Sequence, residues 1–359
     1  MRAASLFGWY NIVPLVALAL LGAAFTLPFG AALLVACVAA LTATVLAAVH
    51  HAELVAHRVG EPFGTLVLAL AVTLIEAALI LSMMMAGGEK SATLARDSVY
   101  AAIMIITTGV VGTCLLAGGW RHREQVFRIE GAAPALAALV TLAAIVLVLP
   151  NFTSSTPAPY YSPAQLVFTA AESGALWTAF VFFQTIRHRD YFLPADAADI
   201  DTHALPPSAG RAWASLALLL LSLVVVVGLA KKLSPAIESA VEAAGAPPAT
   251  IGVAIALLVL LPETIAAMRA ALANRLQTSM NLALGSALAT IGLTVPVVVI
   301  ASFVLRLPLA LGLAPKDIML LLLALLVSTI TLASGRTNVM LGIVHLVLFA
   351  AFLFLTLVP

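Results

Sequence analysis

The chain has 359 residues, of which 63% are hydrophobic and only 9% charged, and its mean hydropathy is +1.14. A soluble domain carries about 25% charged residues, so this composition excludes a water-soluble globular protein and indicates a polytopic membrane protein whose helices pack on lipid and on each other. The net charge of +1 argues against a nucleic-acid binder, and the two cysteines, Cys37 and Cys114, lie inside apolar runs and read as packed thiols without a disulfide framework.

Apolar runs of about 20 residues cross a ~30 Å hydrocarbon core as helices. Eleven are predicted, at 11–28, 30–51, 63–85, 97–118, 132–150, 163–187, 211–230, 250–272, 279–303, 315–334 and 338–358. Gly and Pro punctuate the breaks, as at Gly60-Glu61-Pro62, Pro157-Ala158-Pro159 and Pro247-Pro248. Residues 1–10 carry one Arg and no cleavage site, so the first span reads as a retained helix. Of the 17 Lys and Arg, Lys90, Arg96, Lys231, Lys232, Arg306 and Lys316 fall on the side away from the N-terminus, and the rest fall on the N-terminal side. The positive-inside rule therefore makes the N-terminus cytoplasmic.

Polar residues stand out in order along these spans. In span 2, His50, Glu53 and His57 share a helix face and read as an interfacial polar cluster, with proton entry, gating or a zinc site as alternatives. Glu61 opens span 3, where a helix N-terminus favours an acid; it also stands where cations would enter. Glu76 then falls near the middle of span 3, where a charge costs at least ~2.5 kcal/mol. Thr73, one turn earlier, is expected to bend the helix by bonding back to a carbonyl. Glu172 is a further acid near the middle of span 6, and residues 188–210 read as a solvated acidic linker. Residues 234–244, with Glu238 and Glu242, read as a separate external amphipathic helix with a gating or cation-attracting role as the alternative. Glu263 lies near the middle of span 8 directly after Pro262, which is expected to break the helix and free carbonyls. Spans 4 and 9 are rich in small and hydroxyl residues, and His345 in span 11 reads as a packed, hydrogen-bonded histidine.

With span 1 set aside as an extra N-terminal helix (1–29), spans 2–6 (30–188) and spans 7–11 (211–359) form two sets of five, joined by the 189–210 linker. An odd number of spans per set inverts the second copy relative to the first, as in many secondary transporters. Glu76 and Glu263 each lie in the second helix of their set, so a pseudo-two-fold axis would bring them to one site. The fold class is thus all-α, about eleven transmembrane helices, with two inverted five-helix repeats.

Several long segments resemble the cation/Ca2+ exchanger superfamily, and within it the bacterial ChaA-type Ca2+/H+ antiporters. They are HAELVAHRVGEPFGTLVLALAVTLIEAALI (51–80), LARDSVYAAIMIITTGVVGTCLLAGGWRHREQVF (94–127), FVFFQTIRHRDYF (180–192) and LLPETIAAMRAALANRLQTSMNLALGSALATIGLTVP (260–296). The resemblance implies a bacterial inner-membrane antiporter with paired acids, here Glu76 and Glu263, that bind a cation alternately with protons. Thr73, Thr108, Pro262, Asn281, Ser286 and Thr290 are expected to line that site; His50, Glu53, Glu61, Glu172 and Glu238 are candidates for gating or a proton path. The chain departs from the family where Ala71-Val72 and Leu260-Leu261 replace a frequent Gly-Asn, and where Thr108 replaces an amide.

Ca2+ takes six to eight oxygens, of which two bidentate glutamates supply at most four. An empty, ionised pair of midplane acids is penalised by desolvation and mutual repulsion, so the pair is expected to hold either protons or a cation. The expectation is a Ca2+/H+ antiporter with no resident cofactor, and Na+ or K+ as the alternative cargo. No H-E-x-x-H or G-x-S-x-G motif supports an intramembrane enzyme, and an inverted repeat favours alternating access over a channel.

Overall fold

The computed structural model describes residues 8–28, 30–60, 63–87, 91–192 and 207–359. Among them are eleven helices long and apolar enough to cross a membrane. They are α1 (Trp9–Thr26), α2 (Ala31–Val59), α3 (Phe63–Gly87), α4 (Leu94–His122), α5 (Ile129–Asn151), α6 (Pro163–Arg187), α7 (Ala209–Ala243), α8 (Ala249–Leu272), α9 (Leu276–Leu305), α10 (Pro315–Ala333) and α11 (Val339–Leu357). In hydrocarbon the backbone must bond to itself, and a helix does this within one segment. Local signals set the ends. Ser162 and Gln165 form a reciprocal capping box with Pro163 at the first helical position of α6, and Asn338 caps α11 by accepting from the Leu341 N–H.

Two expectations about helix ends are corrected. The separate helix over 234–244 does not exist: α7 runs unbroken through Pro235 to Ala243. A proline removes one hydrogen bond, but Leu229, Ala230 and Leu233 are buried before it and Ile237 and Val241 pack on the core after it, and this packing outweighs the loss. Pro262 likewise leaves α8 continuous from Ala249 to Leu272. It removes the donor for the Leu258 carbonyl without breaking the helix, and the Thr264 hydroxyl covers the Leu260 carbonyl at 2.7 Å.

Irregularity sits instead in wound turns inside α4, α5, α6 and α9, of which those of α4 and α9 pack on the acid-bearing helices α8 and α3. Residues Ile105–Val110 of α4 and Thr290–Thr294 of α9 are wound as π-helix, a form that leaves backbone carbonyls without their usual partners. In α9, Pro296 lies just beyond the segment and cannot donate back into it. In α4 the hydroxyls of Thr107 and Thr108 donate to the carbonyls of Ile103 and Met104.

The two sets interleave. α3 packs against the π segment of α9, and α8 packs against the π segment of α4. α4 also lies against α11, and α9 against α6. The α4–α11 approach is close enough that a methyl on Gly342 would meet the Leu116 backbone at 2.5 Å. On the N-terminal face the loop after α4 forms a short strand β1 (Glu124–Val126), antiparallel to β2 (Arg336–Asn338) before α11, with Gln125 opposite Thr337. On the opposite face the loop after α9 donates from Gly312 to the Pro159 carbonyl and from Leu313 to the Leu147 carbonyl. Exchanging the sets converts one pairing into the other and moves it to the other face, which is the relation of an inverted repeat.

Candidate cation site

Glu76 is buried among apolar side chains, including Ile75 and Leu79 of its own helix, and is 3% exposed. Its Oε2 accepts from the hydroxyls of Thr290 at 3.0 Å and Thr294 at 3.4 Å, both from the π segment of α9. The site therefore joins the acid of the first set to the wound helix of the second. Thr73 is buried one turn before Glu76. Thr294 was absent from the residues expected from sequence, although it lies four residues after Thr290 and just ahead of Pro296, a legible signal.

Glu263 lies half-buried on α8, and its Oε2 is buried without a hydrogen-bond partner. It feels the negative charge of Glu76 and, less strongly, that of Glu53. Two carboxylates whose charges interact, one of them with an unpaired oxygen, are suited to take up protons or a cation, because either removes the repulsion. Thr108 is fully buried in the π segment packed on α8. Ser286 stands half-buried one turn before Thr290, on the same face of α9.

Asn281 does not line this site. It lies nine residues before Thr290, about 13 Å along a helix, where it accepts from Gln277 and donates to the Phe192 carbonyl at 2.6 Å. That bond docks residues 189–192 on the bundle, and Arg128 adds a bond to the Asp190 carbonyl at 2.7 Å. The start of the stretch read as a solvated linker is thus packed; Asp196, Asp199 and Asp201 lie outside the described residues, as does Glu61.

The candidates for gating or a proton path are spread over both faces. His50 and Glu53 approach at 4.0 Å, and Glu53 feels the Arg269 charge at the end of α8. His57 is exposed and has no part in that contact, and no group of three or more His, Cys, Asp or Glu among the described residues could hold a metal. The zinc alternative therefore lacks a ligand set there. His51, which sequence reading passed over, is fully buried and bonds the Tyr10 carbonyl at 3.0 Å. Glu238 accepts from Ser234 at 2.9 Å near Gly87 on the far face. Glu172 keeps a buried Oε1 without a partner.

The far face also holds a cluster that sequence reading did not single out. Arg96 pairs with Asp97 at 2.7 Å and donates to the Gly312 carbonyl at 2.8 Å, and Thr93 donates to Asp97. A narrow cleft of about 10 Å³ is lined by Arg96, Val99, Leu147, Thr294, Val298 and Leu309.

The family model described as "Sodium/calcium exchanger protein" matches residues 15–186 and 214–358. A protein of Sinorhizobium fredii (strain NBRC 101917 / NGR234) named ionic transporter y4hA is 50% identical over 321 residues, which cover 89% of this chain and 87% of that protein. The sodium-potassium/proton antiporter ChaA of Escherichia coli (strain K12) is 38% identical over 347 residues, covering 96% and 94%. Among solved structures, the H+/Ca2+ exchanger CAX superposes with a TM-score of 0.72 at 14% identity, covering 96% of this chain and 87% of the other, a likeness of fold.

Proposed function

The chain belongs to the sodium/calcium exchanger protein family, and on that premise we propose that Glu76 and Glu263 form one shared site that loads either a cation or protons. It is a transporter and not an enzyme. The observation that carries the reading is a pair of carboxylates from the two sets, Glu76 buried and held by hydroxyls, and Glu263 half-buried with one buried oxygen unpartnered. The protein reorients only when the pair is loaded, because the empty ionised pair is the costly state. That restriction gives exchange without leak.

The first cargo is Ca2+. Two bidentate carboxylates and the hydroxyls of Thr290 and Thr294 make six oxygens, the lower end of what Ca2+ takes. One Ca2+ then replaces two protons with no change of charge at the site. A second reading, Na+ or K+ for H+, is favoured by the relation to a sodium-potassium/proton antiporter over 96% of this chain and by a donor set that barely fills a Ca2+ shell.

The working frame is two inverted repeats, 30–188 and 211–359, around this site. The twofold match of one family model is in keeping with it. The N-terminus lies in the cytoplasm of a bacterial inner membrane, and the transporter exports its cation. Glu53 lies toward the cytoplasmic face and assists proton and cation entry through its charge, which Glu263 feels.

The test is transport in everted vesicles. Addition of Ca2+, Na+ or K+ to vesicles holding an acid interior should collapse the pH gradient, read by a quenched dye, and the cation with the lowest half-saturation is the cargo. Glu76→Gln and Glu263→Gln should each abolish the signal. Cation-driven proton movement in either variant would sink the two-acid mechanism.

A further inference from the structure

The π segments of α4 and α9 are held differently. A methyl on Gly109 in the α4 segment would meet the Phe349 ring of α11 at 3.1 Å, and one on Gly292 in the α9 segment would meet Trp177 of α6 at 2.6 Å. Phe349 and Trp177 therefore occupy corresponding places. One helical turn before Phe349 stands His345; one turn before Trp177 stands Ser173. Both are 0% exposed.

Their bonding diverges. His345 Nδ1 lies 2.7 Å from the carbonyl oxygen of Thr107, inside the π segment, and Nε2 lies 2.9 Å from the Thr331 hydroxyl of α10. A carbonyl only accepts, so Nδ1 carries the proton, and the Thr331 hydroxyl donates to Nε2. One imidazole thus ties α4 of the first set to α10 and α11 of the second. At the corresponding place Ser173 Oγ is buried with no partner, and the hydroxyls of the α9 segment turn to Glu76 instead.

We propose that His345 is a positioning residue for cation binding: by holding the Thr107 carbonyl it fixes the wound part of α4 against α8, and so fixes the wall that faces Glu263. The inference rests on the two-acid site, but its test runs in a protein that still exchanges, whereas the Glu→Gln variants test that site alone.

The experiment compares His345→Leu, His345→Asn and Ser173→Ala in the vesicle assay, with Ca2+, Na+ and K+ as probes and the amount of folded protein measured by size-exclusion chromatography. Loss of a buried hydrogen bond at this place should raise the half-saturation concentration about tenfold in His345→Leu, with the maximal rate per folded molecule within about twofold of the parent. Asn places an amide donor where Nδ1 stands and should recover most of the affinity. Ser173→Ala should leave half-saturation unchanged. If His345→Leu does not fold, Thr331→Val, which removes the bond to Nε2 alone, should raise half-saturation about threefold. Unchanged half-saturation in a folded His345→Leu, or in Thr331→Val where Leu is not tolerated, overturns the proposal. So does a Ser173→Ala shift as large as that of the histidine variant, or an Asn variant no better than Leu.

Discussion

Glu76 and Glu263 are the same residue at corresponding places in two related halves, yet their surroundings differ. Two hydroxyls from the opposite half grip Glu76, whereas Glu263 presents a buried oxygen with no donor. A gripped carboxylate has fixed geometry and resists displacement; an ungripped one gains most from any incoming positive charge. The difference teaches that the site is symmetric in plan and asymmetric in use. On the proposed function, Glu76 is the anchor and Glu263 the receiver.

Shortening the acids attacks that division most directly. Glu→Asp draws a carboxylate back by about 1.5 Å. At Glu76 this breaks both hydroxyl bonds, each worth ~1.5–3 kcal/mol to a charged group, so exchange should fall on the order of a hundredfold. At Glu263 no bond to another helix is lost, and the fall should stay within about fivefold; equal losses in vesicle transport would erase the distinction. Thr290→Val should raise the cation half-saturation concentration about tenfold and Thr294→Val about threefold, in keeping with their distances to Glu76. A larger effect at Thr294 would mean that the longer bond tightens when cargo binds. Glu53→Gln should slow proton-coupled exchange only about twofold, and less at high salt, since Glu53 is half exposed and screened. A loss independent of salt would make Glu53 an obligatory carrier. The smallest effect on the comparison comes from the scaffold both acids share. Gln125→Ala removes bonds to the Ala271 carbonyl and to Asn274, which should lower the melting temperature in detergent through a loss of ~1–2 kcal/mol while leaving half-saturation unchanged.

What could be read from the chain follows from which forces are local. Run length and the cost of a charge in hydrocarbon are local, so the eleven spans and the two acids are visible in the residues themselves. The breaks expected at Pro235 and Pro262 are absent because packing on both sides of a proline is not local, and it outweighs one missing donor. The π segments are hidden for the same reason: the carbonyl freed at Thr107 is matched by His345, far along the chain. Asn281 was assigned to the site by its polarity alone, while its partners, Gln277 and the Phe192 carbonyl, lie at the membrane edge. Thr294 was readable from its spacing to Thr290 and was passed over.

The short ladder between Glu124–Val126 and Arg336–Asn338 has a consequence for how the protein is made. Its two strands are separated by most of the second set, and α4 finds α8 and α11 only after they are synthesised. Non-local pairings form late, so a ribosome-bound chain that ends before residue 336 holds its first five-helix set inserted but unclosed. A cysteine placed at Gln125, which is 2% exposed, should therefore stay reactive to a membrane-impermeant thiol reagent in nascent chains truncated at 314 and become protected in the full-length protein. Protection already present in the truncated chain would show that the halves close without the last helices. Biogenesis, on this view, ends with a clasp: the last helix inserted locks the first set, and a quality-control protease has until then to act.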